Sequence, residues 1–373
     1  MSPFEVNELA QRVTAEVSKV VVAQEDAIRS CLAALFARGH VKLEGPSGSG
    51  KTVLARTLLE ALGLRFARLQ VSSDAHSDLI AIAKRSDTHA LLVDELNRGA
   101  PRSQASLLEI LEDAAVSTEG RTIPMPDPFW TIATLNPSER AGTYSLPDEL
   151  IERFACTVRL DSPGTAVEEE IARRARGMGA SSTVQPVSSP ARILEARAFV
   201  ASVHVGDAII RYAAALVTDT RAHPEVERGA STRATIHLLA VARALAALES
   251  RDFVVPDDVK ECAQLVLAPR LLLTPEAEIG GVTVDSIVRQ ILDRTRAPGA
   301  AETVRPSRLR TSPFLSEPPT ARPADARGEA AEVLPTPPLA ETLRPQQRPS
   351  EPPRTTLRPH ASPLARAPDG EDR

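Results

Sequence analysis

Residues 45–52 read Gly45-Pro46-Ser47-Gly48-Ser49-Gly50-Lys51-Thr52, with glycines spaced ahead of a lysine and a hydroxyl. An apolar run, Val41-Lys42-Leu43, precedes them. Val53, Leu54, Leu58, Leu59 and Leu62 follow at helical spacing. A short strand therefore turns into a helix through a glycine-rich loop. Glycines let successive backbone N–H groups face inward around an anion, and the new helix adds its positive end. The spacing G-x-x-x-x-G-K-T is that of a phosphate-binding loop. In that chemistry Lys51 reaches the β- and γ-phosphates, and the Thr52 hydroxyl can ligate Mg²⁺. The expected ligands are ATP and Mg²⁺.

Downstream, Ala90-Leu91-Leu92-Val93 reads as a buried strand running into Asp94-Glu95. A strand tip there sets Asp94 beside the metal and lets Glu95 polarise a water for in-line attack. Phe129–Leu135 is another strand, ending in Asn136-Pro137. Asn136 can hold the attacking water, although Asn-Pro also favours turns. Further strands are read at 65–71 and 155–160, and a hairpin at 116–125. Five short strands with helical crossovers predict an α/β, doubly wound parallel sheet with nucleotide at the strand carboxyl ends. Two helices are read within 4–38. Between them lies Val20-Val21-Val22-Ala23-Gln24, either a buried turn or a wall for an adenine base; spacing decides neither.

Net charge is −5 with acids and bases mixed, so there is no basic footprint for nucleic acid or anionic lipid. Cys31, Cys156 and Cys262 are far apart and form no C-x-x-C, as expected of buried thiols in a reducing compartment. No signal peptide and no apolar run of membrane-spanning length are read, so a cytoplasmic protein is expected.

From about residue 162 the strand signals stop and helices are read to about 294, predicting a small all-α domain. Within it Gly229-Ala230-Ser231-Thr232-Arg233 starts a helix, with Ser231 or Thr232 as N-cap. Arg233 on the first turn opposes the helix dipole, which points to another partner for its charge. The boundaries expected are 1–161, 162–296 and 297–373. The last segment holds about half of the 31 prolines and few aromatics, so it is expected to be disordered. It repeats T-x-R-P at Thr303, Thr320, Thr342 and Thr356, either composition bias or a multivalent linear motif. Ser312, Thr336 and Ser362 precede prolines and are generic phosphorylation candidates.

With these residues laid out, the chain resembles the MoxR family of AAA+ ATPases over nearly all of residues 5–295. Beside the phosphate loop, the resemblance is carried by Leu91–Arg98 (LLVDELNR), Ser106–Glu112 (SLLEILE), Pro126–Phe129 (PDPF) and Ala133–Pro137 (ATLNP). Gly142–Phe154 (GTYSLPDELIERF), Gly229–Arg233 and Val255–Val259 (VPDDV) extend it. The resemblance implies a P-loop AAA+ core followed by a helical lid. Lys51 and Thr52 would be Walker A, Asp94 and Glu95 Walker B, and Asn136 sensor 1. Arg153 would be an arginine finger reaching a neighbour's ATP. Arg233 would be sensor 2, swinging onto the γ-phosphate from the lid. It also implies a homo-oligomeric ring, usually a hexamer, that remodels protein clients, often with a von Willebrand A domain partner. A trans arginine is worth about 10³–10⁵ in rate, or roughly 4–7 kcal/mol.

Three departures stand out. Only Ala81–His89 fills a stretch that in the family usually includes a pore-facing hairpin. Ala23 stands where the family usually has glycine. Ser47 and Ser49 replace small residues of the loop. The short insert and the repeats favour a second reading, an ATP-dependent assembly switch with weak hydrolysis that recruits partners through the tail. The complete set of candidate catalytic residues favours the remodeler. A DNA-acting motor of the same fold is disfavoured by the acidic balance, and a transporter ATPase by the lack of L-S-G-G-Q.

Overall fold

The computed structural model describes residues 1–71, 75–118, 120–139, 142–177 and 183–299. In chain order the strands of the first half are β1 (His40–Glu44), β2 (Phe66–Gln70), β3 (Ala90–Asp94), β4 (Ala115–Thr118), β5 (Arg121–Pro124), β6 (Trp130–Leu135) and β7 (Phe154–Arg159). β4 and β5 form an antiparallel hairpin. The other five make one sheet in the order β2-β3-β6-β1-β7, with every neighbouring pair parallel. This is the expected sheet.

Both faces of the sheet are covered, which is why its inner strands read as unbroken apolar runs. Ala90, Leu92, Trp130, Ile132 and Val158 point into one core. Leu91, Val93, Phe129 and Ala133 point into the other. The first core takes α1 (Pro3–Val17), α2 (Glu25–Phe36) and α3 (Lys51–Ala61). The second takes α4 (Ala75–Ala83) and α5 (Pro101–Asp113). α1 starts as its sequence dictates: Ser2 caps it, Glu5 returns the bond, and Pro3 sits where no N–H is needed. α6 (Asp148–Arg153) is a short helix leading directly into β7.

The second half is helical: α7 (Thr165–Gly177), α8 (Pro190–Ser202), α9 (Asp207–Ala222), α10 (Thr232–Leu248), α11 (Pro256–Leu267), α12 (Pro275–Ile279) and α13 (Val284–Arg294). Ser231 is the N-cap of α10. A brief antiparallel pairing of β8 (Val226–Arg228) with β9 (Leu272–Leu273) is added to the expected helices. Two or three residues are too few to leave an alternation in the sequence. Ile193, Leu216, Leu238 and Val259 of this half share a core with Ile28, Leu35 and Leu54, so packing is continuous across residues 161 and 162. The proline-rich segment and its T-x-R-P repeats, Ser312, Thr336 and Ser362 lie outside the described residues, as does Glu119 at the hairpin tip. Among the described residues no helix is long and apolar enough to cross a membrane. All three cysteines are free and buried.

One buried polar group, Arg197, ties the halves together, and His40 braces the first half. Arg197 of α8 donates from Nε to the Leu35 carbonyl (3.0 Å), from Nη2 to the Phe129 carbonyl (3.2 Å), and from Nη1 to Asp127 (3.3 Å). That gives the PDPF stretch its structural task. His40 accepts from the Thr131 N–H through Nδ1 (3.0 Å) and meets the Leu111 carbonyl at Nε2 (3.1 Å).

Burial pushes the pKa of His40 down to about 4, and that of His237 likewise to about 4. Both are therefore neutral in the folded chain, while unfolded histidine takes up a proton below about pH 6.5. Unfolding should absorb protons between those limits. Stability should be level above pH 6.5 and fall as pH drops towards 4, by at most about 1.4 kcal/mol per pH unit for each histidine. Melting temperatures recorded between pH 5 and 7 check this; His237→Gln should remove roughly half of the slope.

Candidate active site

β1 is flanked on both sides, and its end is fixed by the Gly45 N–H donating to the Leu135 carbonyl of β6 (3.2 Å). A side chain at Gly45 would run into the Leu160 carbonyl, so only hydrogen fits. Gly48 (φ 83°) and Gly50 (φ 85°) are left-handed, a conformation that costs any other residue. The turn delivers Lys51 and Thr52 as the first residues of α3. Lys51 Nζ donates to the carbonyls of Gly45 (2.8 Å) and Pro46 (2.6 Å). Burial lowers its pKa, against the opposing pull of Glu95. A cavity of about 260 Å³ opens here, walled by Ser47, Gly48, Gly50, Lys51, Thr52, Glu95, Thr134 and Asn136 among others.

Asp94 is the hub of the floor. Its Oδ1 accepts from Thr52 Oγ1 (3.1 Å) and from Thr134 Oγ1 (3.2 Å), and its Oδ2 pairs with Arg68 Nε. Thr134 in turn accepts from the Glu95 N–H (3.0 Å) and thereby holds Glu95 at φ 53°, in the left-handed region. The Glu95 carboxylate lies 3.0 Å from Arg98, which also pairs with Glu139. Asn136 lines the cavity and also closes the Asn-Pro turn, its Oδ1 accepting from the Ser138 N–H (3.2 Å). The turn reading describes it, and its place in the wall puts its side chain beside the cavity.

Sequence reasoning missed Thr134 and Arg68. Thr134 stands inside the ATLNP stretch as a hydroxyl in a strand with all six residues buried. That is a visible signal, but its two partners lie one strand away. Arg68 is an exposed position on β2, like any surface arginine.

A second cavity, of about 220 Å³, adjoins the loop. Val20, Val21, Val22 and Gln24 form one wall, Gly48, Ser49, Gly50 and Val53 the next, and Leu160, Pro163, Val167 and Ile171 close it. An apolar slot beside a phosphate cradle fits a flat base. Val22 and Gln24 both line this slot, while Ala23 between them is left-handed, at φ 54°. A larger groove, of about 530 Å³, between α2, the end of β7 and α11 includes no phosphate-loop residue.

The structure does not bring Arg153 and Arg233 to the loop. It brings them to each other. Arg153 Nη1 lies 2.5 Å from Glu112 Oε1, and Arg233 Nη2 lies 3.9 Å from the same oxygen. Arg153 is only 11 % exposed, and its Nε has no hydrogen-bond partner among the described residues. Arg233, expected as sensor 2 swinging onto the γ-phosphate from the lid, reaches Glu112 in this geometry. Its helix start lies by the entrance to β7, where His237, one turn on, meets the Glu152 carbonyl (3.3 Å).

The glycine cradle, the converging Thr52 and Asp94, and the adjoining slot fit a nucleoside triphosphate and a divalent cation. A parallel sheet with such a loop, followed by a helical lid, defines an AAA+ ATPase. Residues 40–156 match the model of the ATPase family associated with various cellular activities, and residues 218–291 match that of the AAA lid domain. The chain is 33% identical to the protein YeaC of Bacillus subtilis over 81% of this chain and 98% of that one. It is also 33% identical to Chaperone MoxR1 of Mycobacterium tuberculosis, covering 77% of this chain and 82% of that one. The crystal structure of a Cytophaga hutchinsonii protein assigned as an ATPase superposes with a TM-score of 0.72 at 32% identity, covering 80% of this chain and 97% of that one. The chain belongs to the MoxR family of AAA+ ATPases.

Thr134→Val removes the donor to Asp94 and strands the Glu95 N–H, a loss of about 1–3 kcal/mol. In steady-state assays kcat should fall roughly 10- to 100-fold with little change in KM, and Thr134→Ser should stay near wild type. Ala23→Gly should raise the melting temperature, because relief of a left-handed alanine, about 1–2 kcal/mol, outweighs glycine's added unfolded freedom, about 0.5–1 kcal/mol.

Proposed function

We propose that the chain is a Mg²⁺-dependent ATPase that hydrolyses ATP to ADP and phosphate, works as a head-to-tail ring, and remodels protein clients. One observation carries the shared-site part. β1 and β7 run parallel, paired from His40↔Phe154 to Glu44↔Arg159 with one register shift between His40 and Val41. Arg153 immediately precedes the first pair and Gly45 follows the last. Four strand steps of about 3.3 Å separate the two levels by ~13 Å. An arginine at the start of the sheet serves a phosphate site at its end only on another copy. A heterologous interface that closes supplies such a residue to every site.

In this reading the loop N–H groups and Lys51 bind the β- and γ-phosphates. Thr52 and Asp94 hold Mg²⁺, and the metal neutralises phosphate charge. Glu95 takes the proton of the attacking water, and Asn136 orients that water. Val22 and Gln24 wall the base. Arg153 and Arg233 act together on the neighbour's γ-phosphate, where transition-state charge accumulates. A hexamer, a cytoplasmic setting and a von Willebrand A domain partner complete the reading by family resemblance, and the relative named a chaperone supports the client role. The division at 161 and 296 is kept as the boundary between nucleotide core, lid and tail. The switch reading draws on the Glu95–Arg98 pairing and on the direct passage from α4 to β3.

Specific ATPase activity should rise with protein concentration. Glu95→Gln and Arg153→Ala should each lose about a thousandfold or more, and mixing the two inactive variants should restore turnover. Activity independent of concentration, with an inactive mixture, would falsify the shared site. Wild type that binds ATP yet turns over no faster than Glu95→Gln would establish the switch instead.

A further inference from the structure

α6 is six residues long and carries Arg153 at its last position. One and a half turns cannot hold a direction by their own hydrogen bonds. Besides the Arg153–Glu112 pair, two arginine anchors come from the helical half. Arg228 of β8 pairs with Asp148 at the start of α6, but both side chains are about half exposed, so that pair is weakly held. The buried anchor is Arg270, just after α11. Its Nε donates to Glu152 Oε2 (3.1 Å) and its Nη2 to the Phe154 carbonyl (2.6 Å), while Nη1 donates back to the Val266 carbonyl. One planar guanidinium thus grips the residue before Arg153 and the residue after it, and fixes both to the helix it leaves. Its side chain is 1 % exposed and that of Glu152 17 %, so solvent does not screen the pair. Lysine, with a point charge on a flexible stem, could not make this fork.

We propose that Arg270, with Glu152, is the positioning residue that aims Arg153 at the ATP site of the neighbouring subunit. The proposal rests on the shared-site reading above. Arg270 touches no nucleotide in its own chain or the next: it acts on the donor side of the interface alone. A finger displaced by about 1 Å loses on the order of a hundredfold in rate.

Mixed rings separate this from a merely structural role, with assembly of every mixture verified by light scattering. The reference mixture is Glu95→Gln, which keeps its finger, with Arg153→Ala, which keeps its base. Failure of that mixture removes the shared-site reading itself and is read first. Arg270→Gln is then placed in the finger donor (with Glu95→Gln) or in the acceptor (with Arg153→Ala). With Arg270→Gln in the donor, turnover should fall at least about tenfold below the reference; in the acceptor it should stay within about twofold. Glu152→Gln, which keeps the packing and weakens only the charge, should give the same one-sided loss, smaller in size. Equal loss on both sides, or loss on neither, overturns the proposal.

Discussion

Every strand of the central sheet runs the same way, so all the strand starts lie on one edge and all the ends on the other. That constraint sorts the chemistry. The loop after β1, Asp94 and Glu95 at the end of β3, and Asn136 after β6 share one edge. Arg153 stands at the other, just ahead of β7. Because β1 has neighbours on both sides, the loop it feeds is built on an inner strand of the sheet. The polarity of the molecule follows from strand direction before any side chain is considered.

On the ligand edge, electrostatics is organised around one carboxylate. The Asp94 side chain is 5 % exposed, and an ionised acid so covered is tolerated only when its oxygens are satisfied. Thr52 from α3, Thr134 from β6 and Arg68 from β2 satisfy them. Three elements distant in sequence thus converge on one group, and Thr134 extends the network to the backbone of Glu95. Asp94 and Glu95 are set by a common support.

How much of this was legible in the sequence depended on whether the physics is local. The loop was legible because glycines, lysine and threonine act within eight residues. The inner strand β3 was legible because a parallel strand buried on both faces is apolar throughout. Thr134, Arg68 and Arg270 were not, because each gains its meaning from a partner that only the sheet order or the lid packing supplies. The slot beside Val22 needed α7, more than a hundred residues on, to become a slot. Arg233 was flagged as a charge in the wrong place on its helix. Which partner it has, Glu112 shared with Arg153, follows from tertiary placement alone. Ala23 shows the converse: a departure visible in the sequence acquires a physical reason only when its left-handed backbone is seen.

The separation of loop and arginines across the sheet also sets a rule of counting. On the shared-site reading proposed above, a copy that offers its arginines on one face and its nucleotide on the other leaves something unmatched at each end of any open row. A pair so joined has one finished site and one bare one, and each added copy contributes one more finished site and passes the bare one along. Only the contact that joins the last copy to the first leaves nothing unmatched. Output per chain therefore climbs with row length and reaches its ceiling at closure. A single defective copy inside a closed ring silences its own site or its neighbour's, according to which face carries the fault.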